Sequence, residues 1–227
     1  MRVSRIQAEQ NRQTVINVAS RLFREHGYDG IGLKELMKAA GLTQGAFYKQ
    51  FASKEDLAAQ ASRRALEYSH RRLSDAAASN AADPLGAVTG FYLSPDHRAE
   101  RANGCPLVAL ASDAARQGRD VKASFEDGIR QAIELLGSCM GEGAGDETSD
   151  RAMAALSTMV GAVVLARAVN DAGLAQRFLD TAAEQVRAHA VEKSPATHGT
   201  TRGARRNRGK KANAAEPAIG SASDDMT

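Results

Sequence analysis

The stretch GLTQGAFYKQF, Gly41 to Phe51, sets side chains that can read a nucleic acid among side chains that belong in a core. Gln44 has the amide geometry for a bidentate pair with adenine, Ala46 can meet a thymine methyl, and Thr43 stands beside them at the same end. Gly45 lets backbone and duplex come close. Tyr48, Lys49 and, just beyond, Lys54 are of the types that bond phosphate oxygens. Phe47 and Phe51, four residues apart, share one helix face and are expected to point inward. The chemistry is recognition, with no bond made or broken. A hairpin of two helices in a plain bundle would use the same turn, so these residues alone leave both readings open.

A second group with chemistry to offer is Cys105, in NGCPL. It precedes Pro106 at an expected helix start, where amide dipoles stabilise thiolate and raise reactivity toward electrophiles and oxidants. The other use of such a cysteine is as a small buried apolar residue. Cys105 and Cys139 stand far apart, with no Cys/His spacing for zinc, so neither a disulfide framework nor a metal is expected, and a reducing cytoplasm fits best. The histidines, His26, His70, His97, His189 and His198, are scattered. With no Gly-x-Ser-x-Gly, no phosphate-cradling loop and no carboxylate pair that has an evident partner, neither catalysis nor a cofactor is expected.

To present that stretch, the chain needs helices on either side, and its pattern supplies them. Val15, Val18, Ala19, Leu22 and Phe23 mark a first helix of about four or five turns that stops at His26-Gly27. Gly32 can cap a second, Leu33 to Ala40, and Thr43 a third, Gln44 to Gln50. Ser53, followed by Lys54-Glu55-Asp56, opens a long helix to about Ala78. Asp83-Pro84 begins another element, which Ser94-Pro95-Asp96 interrupts. A further helix runs from Cys105-Pro106 to about Arg116, and Val121, Phe125, Ile129, Ala132 and Leu136 line the next. Gly141 to Gly145 reads as a loop. Apolar stripes at Met153, Leu156, Val160 and Val163, then at Leu174, Phe178, Ala182 and Val186, mark two final helices. The whole pattern is all-α.

Charge divides the chain. Residues 1–54 hold nine Lys/Arg and four Asp/Glu, residues 55–192 hold 14 and 20, and residues 193–227 hold seven and three, giving +5, −6 and +4. A basic first segment suits a polyanion, whereas the acidic middle does not. The last segment, with RGARRNRGKK from Arg202 to Lys211, is too poor in large apolar residues to offset the entropy of ordering and is expected to be disordered; a solvated tail is its first reading, and salt-sensitive, non-specific contact with DNA the next. No membrane span is expected, because no apolar run is long and uninterrupted enough.

FREHGYDGIGLKELMKAAGLTQGAFYKQFASKEDL resembles the N-terminal helix-turn-helix of TetR/AcrR-type transcriptional regulators. Gly27-Tyr28, Ala40-Gly41, Thr43, Gly45, Phe47-Tyr48, Phe51 and Ser53-Lys54-Glu55-Asp56-Leu57 fill that pattern in order. Two positions depart from it: Gly32 stands where Ser or Thr often caps the second helix and bonds a phosphate, leaving Lys34 to replace that contact, and Met37 stands where a small residue is usual. The resemblance implies about nine helices: a DNA-binding domain of three over residues 1–52 and a domain of six over 53–192 that binds a small-molecule effector and dimerises through its last two, ahead of the tail at 193–227.

By that resemblance the DNA-binding residues are Lys34, Thr43, Gln44, Gly45, Ala46, Tyr48, Lys49 and Lys54. A ligand among Tyr68, Phe91, Tyr92, Cys105, Val108 and Phe125 would tilt the helix that begins at Lys54. Met153, Leu156, Val160, Val163, Phe178 and Val186 are the candidate homodimer contacts, because each apolar stripe needs a partner. The expected protein is a cytoplasmic repressor released by its effector from a pseudo-palindromic double-stranded operator, with half-sites roughly 34–36 Å apart or a multiple of this. Some electrophile-sensing members place a Gly-Cys pair at the helix of Cys105, so a thiol-based sensing repressor is a second reading. A non-specific architectural DNA-binding protein is a third.

Overall fold

Local capping explains where most helices begin, and burial explains which face each one turns inward. The computed structural model describes residues 4–141 and 146–191; the basic tail and most of the Gly141–Gly145 loop lie outside them. Helix α1, Arg5–His26, starts where the Ser4 hydroxyl accepts the Gln7 N–H at 3.1 Å. It reaches well before the first apolar repeat, because the polar residues there pair within the helix, Gln7 with Asn11 at 3.0 Å and Gln13 with Asn17 at 3.3 Å. The apolar pattern alone, which starts at Val15, therefore understates its length. Gly27 ends it in the left-handed region, at φ 76°.

Helix α2, Leu33–Ala39, has Gly32 at its N-cap, and the Glu35 carboxylate accepts the Gly32 N–H at 3.1 Å. Gly41, at φ 71°, turns the chain, with its N–H on the Lys38 carbonyl and that of Leu42 on the Met37 carbonyl. Helix α3 spans Gln44–Phe47, shorter than the pattern suggests. Beyond it the chain tightens, as Gln50 and Phe51 both bond back to the Phe47 carbonyl at 2.8 and 3.0 Å. Helix α4, Lys54–Ser79, opens on Ser53, whose hydroxyl accepts the Asp56 N–H at 3.0 Å. Its 26 residues make a rod about 39 Å long.

Helices α5, Pro84–Tyr92, and α6, Pro95–Ala99, are capped by the side chains of Asp83 and Ser94. The Ser-Pro-Asp interruption thus begins a short helix of its own, which brings the described residues to ten helices, with no strand among them. Helices α7, Pro106–Ala114, α8, Arg119–Cys139, α9, Asp146–Ala168, and α10, Ala172–Val191, complete the order. Helix α4 is the spine: it packs against α1, α5 and α8. At Gly128 of α8 a β-carbon would lie 2.7 Å from Leu66 Cδ2, so glycine sets the close approach of α8 to α4.

Helix α9 corrects the expectation about apolar runs, since it is long and apolar enough by length and composition to cross a membrane, at a mean hydropathy of 1.3. Much of that apolar content faces protein: Ala152, Ala155, Leu156, Met159, Ala162, Val163 and Ala166 are buried, and α9 packs against α7, α8 and α10.

Candidate nucleic-acid interface and interior cavity

The α2–turn–α3 unit holds its aromatic rings in and its polar groups out. Phe47 and Phe51 are buried and stacked at 5.3 Å with 24° between planes, and Tyr48 meets Phe47 edge-on while staying 67% exposed. Lys34, Thr43, Gln44, Gly45 and Lys49 are exposed, and Ala46 and Lys54 are half-buried. Thr43 takes the N-cap position of α3, but its hydroxyl makes no capping bond. Met37, the departure from the usual small residue, is completely enclosed.

A joint invisible in the periodicity fixes this unit to α4. The Arg12 guanidinium lies 5.5 Å from the Phe51 ring centroid and donates to Gln60 Oε1 at 2.6 Å; Gln60 donates in turn to Asp56 Oδ1 at 2.7 Å, and Asp56 Oδ2 accepts the Ala52 N–H at 3.0 Å. Deeper in, Tyr28 Oη and Ser62 Oγ lie 2.6 Å apart, and burial pushes the Tyr28 hydroxyl up to about 12, so it stays protonated. The head and the first turns of α4 are thereby one body.

Three arginines from three helices hold the segment between α6 and α7. Arg24 of α1 donates to the Ser20 carbonyl at 2.9 Å and to the Gly104 carbonyl at 3.0 Å. Arg72 of α4 pairs with Glu100, donates to the Asn103 carbonyl at 3.1 Å and lies over the Phe91 ring at 4.9 Å. Arg167 of α9 donates to the carbonyls of Arg98, His97 and Glu100 at 2.8, 3.0 and 2.8 Å. Gly104 is required by space, since a β-carbon would sit 2.1 Å from the Glu100 carbonyl oxygen. Burial lowers Arg24 to about 10 and also lowers Arg167; both remain cations at neutral pH.

His97 is buried with its Nδ1 at 2.7 Å from the Tyr92 carbonyl and its ring 4.6 Å from that of Tyr92. Burial lowers its pKa from 6.5, the carbonyl contact opposes this, and Arg167 and Arg72 add to the lowering. The folded state therefore takes up a proton less readily than the unfolded one. His97 should cost no stability above about pH 6.5, and stability should fall as the pH drops below that value toward the folded pKa. Thermal melts from pH 8 to 5 should show a smaller acid loss for His97→Gln than for the parent; equal slopes would remove His97 as the cause.

The proposed pocket residues fall in different places. Tyr92 and Cys105, 1% and 4% exposed, border a small interior cavity of about 20 Å³ together with Leu66, Ser69, His70, Leu73, Leu107, Gly128, Ala132 and Leu156. Phe125 borders an open groove of about 540 Å³ between α7 and α8, with Ala111, Ile129 and Ile133. Tyr68 and Phe91 flank Arg72, and Val108 is half-buried. His70 belongs to the cavity although its isolated position in the sequence gave no signal. Among the described residues, no group of three or more His, Cys, Asp or Glu could hold a metal ion.

The final two helices also divide their apolar residues. Leu156, Val163 and Val186 are buried within the subunit, Val160 and Phe178 are half-buried, and Met153 is 45% exposed. Val164 and Leu165, not singled out by the stripes, and Leu174, which opens the second stripe, are the other large apolar side chains turned outward there. A helix buried by its own subunit on one face and apolar on the other has no single 3.6-residue stripe to read.

Residues 15–61 match the family described as bacterial regulatory proteins, tetR family. The HTH-type transcriptional repressor NemR of Escherichia coli K12 is 26% identical over 135 residues, 58% of this chain and 68% of that protein. The HTH-type transcriptional regulator AcrR of Shigella flexneri is 43% identical over 56 residues, 25% of this chain and 26% of its own. A TetR-family regulator from Cytophaga hutchinsonii, known by crystal structure, superposes with a TM-score of 0.70 at 19% identity, over 85% of this chain and all of the other. That last likeness concerns the fold.

Proposed function

We propose that the chain, whose residues 15–61 match the tetR family of bacterial regulatory proteins, is a cytoplasmic homodimeric repressor of that kind that leaves a pseudo-palindromic operator when a small molecule binds. That it is a DNA-binding transcriptional regulator and not an enzyme follows from its relatives. The division into residues 1–52, 53–192 and 193–227 belongs to the proposal, as do the individual contacts. The observation that carries it is the outward row Thr43, Gln44, Gly45, Tyr48 and Lys49 over the inward pair Phe47 and Phe51. Gln44 and Thr43 read base edges, Lys34, Tyr48, Lys49 and Lys54 hold phosphates, and Gly45 and Ala46 allow close approach. Met153, Val160, Val164, Leu165, Leu174 and Phe178 form the outward apolar face of α9 and α10 that meets the second copy.

Titration against the DNA flanking the chain's own gene and against a shuffled duplex, at one near-physiological salt concentration, tests this. The native duplex should bind on the order of a thousand-fold more tightly. Equal binding to every native and shuffled segment would leave an architectural protein instead. Gln44→Ala should weaken operator binding by about 1–3 kcal/mol and relax preference at one base pair in each half-site, leaving shuffled DNA unaffected. A uniform loss on both duplexes would assign Gln44 to the phosphates.

A second reading is favoured by the place of Cys105, which borders the cavity at the N-cap of α7, next to Gly104. Its sulfur would add to an activated carbon–carbon double bond, the thiol proton ending on the adduct. The Gly104 carbonyl, one residue away, is the acceptor for Arg24 of the head. Alkylation should then release the operator from the parent protein and not from Cys105→Ser. An unreactive Cys105, or an alkylated protein that still binds fully, excludes this reading.

A further inference from the structure

Building on the effector-released repressor, we propose that the small cavity among α4, α5, α7, α8 and α9 recognises a compact, uncharged molecule bearing one hydrogen-bonding oxygen on an apolar frame, held by Tyr92 and His70. Both residues border the cavity, and Tyr92 Oη and His70 Nδ1 are shut off from solvent with no hydrogen-bond partner. The Cys105 sulfur, a weak acceptor, is the group that the Tyr92 hydroxyl leans toward, but it falls short of a full hydrogen bond. Burial, reinforced by Cys105, raises the Tyr92 hydroxyl well above 10, so it is a permanent donor. Native interiors rarely leave two such groups unpaired beside one space.

The rest of the lining selects the class of guest. Leu66, Leu73, Leu107, Ala132 and Leu156 favour an apolar body, and no charged side chain is among them. Arg24 and Arg167 are already bonded to main-chain carbonyls. An anion would therefore enter without a counter-charge, and a hydrocarbon would leave both polar groups unmatched. A neutral oxygen meets the demand of each.

The volume of about 20 Å³ holds roughly one water. A larger guest must part the walls, and the α4–α8 seam at Leu66 and Gly128 is one of them. Such a guest prefers an opened state to the one described here, and that difference in preference is what lets it shift α4 and the head.

The experiment uses the full chain, with calorimetric titration and thermal melts. Phenol and cyclohexanone are the neutral oxygen-bearing probes; toluene and benzoate are their apolar and charged counterparts. Phenol and cyclohexanone should bind and raise Tm, with toluene and benzoate at least about tenfold weaker. Tyr92→Phe, nearly isosteric and so able to fold, should weaken phenol about tenfold, leave toluene unchanged and not lower Tm without ligand. Equal binding of phenol and toluene, no binding of either oxygen-bearing probe, or a Tyr92→Phe protein that melts lower yet binds phenol as before would each overturn the site. Phenol does not alkylate thiols, so its binding is independent of Cys105 chemistry. Phenol bound through Tyr92 with operator affinity unchanged would keep the site and overturn the effector-release reading. Operator release by another compound in a chain that binds neither probe would do the reverse.

Discussion

Phe47→Ala should abolish operator binding, lowering affinity by at least a hundredfold, and destabilise the protein by about 3–5 kcal/mol. The ring is 1% exposed and lies between Phe51, stacked on it, and Tyr48, edge-on to it. Helix α3 is only four residues long and cannot persist on helix propensity, so its place depends on that ring. Removing it leaves a cavity beside Phe51 in the hydrophobic core and frees Thr43, Gln44 and Tyr48 from a common surface. Thermal melts and operator titration should show both losses together, whereas Gln44→Ala should lose affinity and keep its Tm. A Phe47→Ala protein with parental affinity would mean that the turn and α4 alone position the reading residues.

Arg167→Leu should cost about 3 kcal/mol and disturb the response to effector more than the binding of DNA. One guanidinium satisfies three carbonyls at the end of α6, and a leucine in its place leaves all three without their donor. Part of the side chain meets solvent, which allows water to replace some of those bonds and keeps the loss below their sum. The segment it holds leads through Glu100 and Asn103, both tied to Arg72, to Gly104, which is tied to Arg24 of the head. Loosening it should blunt the coupling between the cavity wall at Cys105 and α1. Denaturation should report the stability loss, and operator titration with and without effector should report a smaller ratio between the two affinities. An unchanged ratio would show that the coupling runs through α4 and not through this segment.

The head was legible because its signals are local. Gly27 and Gly41, both at positive φ, Ser53 at its cap and the four-residue interval between Phe47 and Phe51 all act over a few residues. Where local reading fell short, local competition explains it. Helix α1 extends through polar pairs that carry no apolar period, and α3 ends early because two N–H groups converge on the Phe47 carbonyl. The cavity was half legible: Tyr92 and Cys105 were in view, but Tyr68, Phe91 and Phe125 go elsewhere and His70 enters.

By itself the amino-acid order determined an all-helical chain, a basic head with a recognition stretch at Gly41 to Phe51, and the family to which that stretch belongs. Those follow from caps, turns and periodicity, which span one or two helical turns. Tertiary structure alone decided that Arg24, Arg72 and Arg167, from helices far apart in the chain, grip one short segment. It also decided which apolar residues of α9 face inward and that Tyr92 and His70 border one small cavity. Each of these depends on how whole helices cross, set by packing at points such as Gly128 against Leu66, and no spacing along a single helix encodes that crossing.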